Sequence, residues 1–315
     1  MQLVRRVGLA LVLLAGGLAG VCFQGNGRAE DLALPKKVKI GMVGTLFRDV
    51  PDSLIETMSK PFGILMATQT GMVGELSKTG DSTDLGQKLT DGAVQLGIFH
   101  GFEYAWAREK FPQLRPLVIA INQSPTLHAY LVVKSNSTIA GFADLKEKTL
   151  DIPKGTRGHC RLYLEARCQE CGQCSAENLL GKIICSGSAE EALDEIIDGT
   201  NGVAATIVDN TTLDSYKRRK PGRFGEIKVV AESEPFPAGV VVYKEGTIDE
   251  KTLTKFRDGL LNTHKSILGR QLLTLWKLTG FQAIPTEYDQ MLSEIMKAYP
   301  PPPEAEEPEQ PEEKE

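Results

Sequence analysis

Asp151-Ile-Pro-Lys-Gly-Thr-Arg-Gly-His-Cys-Arg-Leu-Tyr-Leu-Glu165 is the stretch on which the fold turns. An apolar run from Thr149 to Ile152 stops at Pro153, and small residues follow at Gly155, Thr156 and Gly158. The chain then resumes with Leu162, Tyr163, Leu164 and Ala166, as a helix would. A strand, a tight loop and a helix N-terminus result. The unpaired N–H groups of such an end, with the positive end of the helix dipole behind them, attract an anion once a hydroxyl and glycines let it approach. Gly155 to His159 therefore read as half of a ligand pocket. The same residues also fit an ordinary βα turn with Thr156 as N-cap.

Strand and helix signals alternate on both sides of this unit. Toward the N-terminus the strand candidates are Lys37 to Gly44, Met72 to Ser77, Gln95 to Phe99, Leu114 to Ile121 and Ala129 to Val133. Helical patterns separate them at Ser53 to Thr70, with a kink or break expected at Pro61, and at Thr83 to Ala93 and Phe102 to Lys110; Ile139 to Lys148 is a further short helical segment. Beyond the unit, Lys182 to Cys185 is followed by a helix to Asp198 that Ser188 and Glu191 open as a capping box. Gly202 to Val208 precedes a helix beginning at Thr211; strands at Ile227 to Ala231 and Val240 to Tyr243 and two helical stretches close the body, the last starting at Thr286 with Asp289. This alternation implies βαβ units and an α/β fold with mixed, mostly parallel sheets flanked by helices.

The ends differ from the body. Arg5 and Arg6, the apolar stretch Val7 to Phe23 and Gly27-Arg28-Ala29 have the form of an export signal spanning residues 1–29, cut after Ala29. A lipid anchor at Cys22 fits less well, because Val21 is bulky; an uncleaved membrane anchor is the other alternative. Residues 300–315 form a proline and glutamate tail too polar to fold. Subtracting the tail's −6 and the leader's +3 from the net charge of −5 leaves −2 for the body. A nearly neutral body with no basic stripe argues against nucleic acid as a partner.

Export places Cys160, Cys168, Cys171, Cys174 and Cys185 in an oxidising compartment, where disulfides and one odd thiol are expected. The triplet spacing of Cys168, Cys171 and Cys174, followed by Cys185, also suits a metal or a redox-active pair. No Ser-His-Asp arrangement, Walker loop or dinucleotide glycine motif is visible, so no enzyme activity and no cofactor are expected.

Four strand ends carry residues suited to a ligand: Gly44 to Arg48 with Thr45, Phe47 and Arg48; His100 to Tyr104 with Glu103; Gly155 to His159 with Arg157; and Asp209 to Thr211. In open α/β sheets ligands bind beyond the carboxyl ends of strands, so these loops are candidates for one cleft.

The stretches Gly97 to Tyr104, Tyr130 to Gly158, Ala204 to Asp209 and Glu232 to Pro237 resemble the phosphate, phosphite and phosphonate substrate-binding proteins of ABC transporters over roughly residues 36–298. The resemblance implies a two-lobed periplasmic binding fold of the second type, with residues 36–130 and 232–299 in one lobe and 131–231 in the other, closing by a hinge over a small anion. Thr156 and Gly158 match the family's Ser-Thr-Ser-Gly loop, in which Gly155 and Arg157 stand in place of the two serines. Tyr104 matches an aromatic pocket residue, Asp209 an acidic strand end, and Glu103 stands where a small hydroxyl residue is common. A monomeric periplasmic protein delivering its solute to a membrane permease follows from the resemblance. The alternative is a periplasmic sensory or redox- or metal-linked module on the same fold, using the cysteine cluster.

Overall fold

The computed structural model describes residues 37–48, 50–172 and 176–302, all within the compact unit that begins at Pro35. The export signal, Cys174 and most of the acidic tail lie outside them.

Six strands form the first sheet, in the order β13 (Gly280–Gln282), β4 (Leu114–Ile121), β12 (Gly239–Lys244), β3 (Leu96–Phe99), β1 (Lys37–Met42) and β2 (Val73–Lys78). In chain order, β1 (Lys37–Met42) leads through α1 (Asp52–Thr70) to β2 (Val73–Lys78), then through α2 (Ser82–Thr90) to β3 (Leu96–Phe99). After α3 (Gly101–Lys110), β4 (Leu114–Ile121) leaves this sheet along a crossing segment that holds β5 (Thr126–Leu127). The second sheet then begins. It contains β6 (Ala129–Lys134), β7 (Thr149–Asp151), the helices α4 (Gly158–Glu170) and α5 (Ala176–Leu179), and β8 (Lys182–Ile184). It continues through α6 (Ala189–Asp198), β9 (Val203–Asp209), α7 (Asn210–Arg219), α8 (Pro221–Phe224) and β10 (Ile227–Glu232), ordered β10-β6-β9-β7-β8. The chain returns through β11 (Phe236–Pro237) to β12 (Gly239–Lys244), and α9 (Glu250–Leu261), α10 (Ile267–Leu275), β13 (Gly280–Gln282) and α11 (Tyr288–Ala298) complete the first sheet's side.

Both sheets are mixed. β1 is parallel to β2 and β3, and β7 is parallel to β8 and β9, whereas β12, β13, β6 and β10 join antiparallel. The expected parallel bias therefore holds only around β1 and β7, because each return crossing inserts a strand from the opposite direction. The two crossing segments pair with one another, Phe236 opposite Leu127 and Pro237 opposite Thr126.

Local chemistry explains most boundaries. Asp81, Ser188, Asp209, Asp249 and Ser266 cap α2, α6, α7, α9 and α10 through their side chains. α1 runs unbroken through Pro61 instead of breaking there. The helical pattern at Ile139 to Lys148 condenses to one 3-10 turn, Phe142–Leu145, and the last helix starts at Tyr288 without a side-chain cap.

Gly101 opens α3 hard against the second crossing. A Cβ there would lie 2.3 Å from the Pro237 carbonyl oxygen and 2.7 Å from that of Ala238. Gly101→Ala should cost about 2–3 kcal/mol in urea unfolding through overpacking, whereas Gly222→Ala, which meets nothing within 4 Å, should be nearly neutral.

Candidate functional site

Gly155 adopts φ +72°, a left-handed backbone that suits glycine and turns the chain sharply after Lys154. Thr156 does not cap α4. Its hydroxyl donates to the Pro153 carbonyl at 2.6 Å and its N–H to the same oxygen at 3.1 Å, which closes the loop on itself. Arg157 is the N-cap of α4 and supplies no side-chain capping bond, so the helix opens with its first amides uncapped by any side chain. The Arg157 Nε instead lies 2.7 Å from Asp209 Oδ2. Asp209, 3% exposed, also accepts from the Thr212 N–H at 2.8 Å and from the Thr211 hydroxyl. Burial alone would raise its pKa, but Arg157, the Thr212 contacts and His159 more than offset this and hold the carboxyl below its usual range.

These residues border a cavity of about 410 Å³ at the carboxyl ends of β7 and β9. The N-termini of α4, α6 and α7 converge on it, and Asn122, Gln123 and Lys277 reach it from connections of the first sheet. Lys154, Ser188, Glu190 and Arg219 are further wall residues that the sequence did not single out for the pocket. Those on α6 were within reach of the rule that picked out α4, since Ser188 follows the carboxyl end of β8. Gln123 and Lys277 carry no local signal.

The other candidates distribute differently. Thr45 and Phe47 line a separate cavity of about 470 Å³ with Arg48, beyond β1. Tyr104, placed in the pocket by sequence, is a core residue: it is fully buried, stacked against Tyr288, with its hydroxyl donating to the Leu114 carbonyl at 3.3 Å. Its place on α3, three residues inside the helix, turns it away from the strand end. Glu103 also turns inward. Its two carboxylate oxygens accept the Thr45 hydroxyl at 2.7 and 2.9 Å, and burial raises its pKa to about 7 against the opposing effect of that bond.

His100 and His159 meet α4 from the interior. The His100 ring stacks on Phe102, and its Nε2 would lie 3.2 Å from a Cβ built on Gly158. His159 packs against Phe236, and its Nε2 lies 3.5 Å from Cys160 Sγ. Burial is the first cause that lowers the His100 pKa to about 4 and that of His159 to about 3, so both rings are neutral at physiological pH. Burial likewise pushes the Cys160 thiol well up, which keeps it protonated and unreactive.

Cys160, Cys168, Cys171 and Cys185 are free thiols, contrary to the disulfides expected of them. Cys160 and Cys168 are taken up by core packing on α4, while Cys185 is exposed past β8. Among the described residues no group of three or more His, Cys, Asp or Glu is placed to hold a metal. Among them, too, no helix is long and apolar enough to cross a membrane.

A family model described as the periplasmic substrate-binding protein of phosphonate ABC transporters matches residues 48–288. The chain belongs to that family, whose members bind small molecules and work with an ABC permease. No curated protein matches the sequence. Among solved structures, XAC2383 from Xanthomonas citri, bound to chloride, is similar at 17% identity and TM-score 0.60, covering 84% of this chain and 97% of its own. PhnD1 from Prochlorococcus marinus, in complex with methylphosphonate, is similar at 16% identity and TM-score 0.56, covering 84% and 98%. A binding-protein component of a phosphonate ABC transporter from Pseudomonas aeruginosa follows at 14% identity and TM-score 0.52, covering 84% and 88%. These likenesses place the fold as a two-lobed binding protein of the second type.

Glu103 gives the site a measurable pH signature. A pKa raised from 4.5 to about 7 means that the folded state binds this proton more tightly than the unfolded chain. Its contribution to stability is complete below the unfolded value and is lost as pH rises through the folded one. Glu103→Gln should therefore flatten the fall in unfolding free energy from urea titrations between about pH 4.5 and pH 7, by an amount on the order of 1–3 kcal/mol.

Proposed function

We propose that this protein captures a small phosphorus oxyanion, such as a phosphonate, phosphite or phosphate, and delivers it to its permease after closure of two lobes. The observation that carries this reading is the start of α4, which opens on the cavity without a side-chain cap while the neighbouring N-termini of α6 and α7 are capped by Ser188 and Asp209. An anion there would receive backbone N–H groups and the helix dipole, with Lys154 beside it. Thr156, Gly155 and Gly158 shape this cradle, and Arg157 and Asp209 hold it in place.

On this reading the lobes comprise residues 36–130 with 232–299, and 131–231; the separation of the strands into two sheets supports it, with β6 and β10 overlapping the boundaries by one or two residues. The paired crossing segments would serve as the hinge. The protein would act as a monomer, exported by its N-terminal segment into the periplasm.

Calorimetric titration with phosphate, phosphite, methylphosphonate and aminoethylphosphonate tests the reading. At least one should bind. Thr156→Val, which loses the hydroxyl that closes the loop, should weaken that ligand about tenfold or more. Absence of heat with all four would remove the oxyanion assignment.

A further inference from the structure

Resting on that reading of the site, we infer that the solute carries a second anionic group, held by Lys277 and Gln123 across the cavity from the oxyanion. A bare phosphate or methylphosphonate would leave much of the space unused. The cavity, at about 410 Å³, falls among pockets that enclose organic ligands, which run from roughly 300 to 1,000 Å³.

The charges on its wall are not equivalent. Arg157 is neutralised by Asp209, and Arg219 by Glu190. Lys154 and Lys277 have no ion-pair partner among the described residues. They come from opposite sides: Lys154 from the loop ahead of α4, and Lys277 from the connection between α10 and β13. Two free ammonium groups at separate points of one cavity complement two separated negative charges better than a single compact one.

Gln123 accompanies Lys277 on the cavity wall. Lys277 takes φ +54° as the residue that closes α10, where its N–H donates to the Thr274 carbonyl at 3.1 Å and that of Leu278 to the Leu273 carbonyl at 2.8 Å. Both line this cavity. Their segments are tied together, since the Gln123 N–H donates to the Thr279 hydroxyl at 3.0 Å and the Thr279 N–H to the Ile121 carbonyl at 2.9 Å. These bonds bring the two residues to the same cavity from neighbouring connections on the first sheet's side. The solute class that fits is a phosphonate or phosphate monoester with a carboxylate or second phosphate a few bonds away.

Calorimetry on the intact chain with methylphosphonate and phosphonopropionate, at matched ionic strength, decides the matter. Phosphonopropionate should bind about tenfold more tightly. Lys277→Asn, in which asparagine tolerates the left-handed backbone, should erase that advantage and leave methylphosphonate unchanged, while Lys277→Arg should keep it. Equal affinities in the unaltered protein, or a Lys277→Asn variant that weakens both ligands alike, would overturn the second anionic group and leave the oxyanion site standing. If neither compound binds, both the inference and the oxyanion reading fall.

Discussion

The contact between Arg157 and Asp209 is the constraint around which the cavity is built. Each residue is the N-cap of its helix, Arg157 of α4 and Asp209 of α7, so a single 2.7 Å contact fixes two helix N-termini relative to each other. Asp209 is almost wholly buried, and a buried carboxylate is tolerated only when its lone pairs are used. Here Thr211, Thr212 and Arg157 use them. Only the Nε of the guanidinium is placed on Asp209, so its other N–H donors remain on the cavity wall.

The second sheet is held to the first by aromatic packing along the crossing segments. Phe236 lies between Phe102, His159 and Tyr299, with ring centroids 6.0, 5.4 and 4.6 Å away. Glu234, just ahead of it, accepts from Arg167 of α4 at 2.8 Å and from the Tyr299 hydroxyl that follows α11. One core cluster runs without interruption from Val43 and Phe99 through Phe236 to Leu131 and Ile207. His100 meets the start of α4 as well, its Nε2 lying 3.2 Å from where a Cβ on Gly158 would sit.

How far these features could be read from sequence depends on their range. The strand, loop and helix at Asp151 to Glu165 was legible, because Pro153 and Gly155 break the pattern locally and the apolar spacing restarts at once. The capping box at Ser188 is equally local. Tyr104 was misplaced because a helix beginning right after a strand end presents both a buried and an exposed face, and periodicity over one turn does not say which is which. Glu103 was a puzzle in sequence and is resolved by Thr45, 58 positions away. Gln123 and Lys277 reach the cavity only through the pairing of β13 with β4, a long-range contact with no local trace.

The departures from the Ser-Thr-Ser-Gly loop then acquire a physical meaning. At the first serine position Gly155 supplies the left-handed turn, a conformation that serine adopts at a cost. At the second, Arg157 exchanges a hydroxyl that could face the ligand for a cation that reaches away to Asp209. Thr156, the retained hydroxyl, donates its proton to Pro153 and is left to act as an acceptor toward anything else. Recognition by side-chain hydroxyls is thus reduced at all three positions, and what remains near α4 is backbone and the other N–H donors of Arg157, which attract any anion with little discrimination. On the proposed reading, discrimination among solutes falls to the rest of the wall, where Lys154, Gln123 and Lys277 line the same cavity.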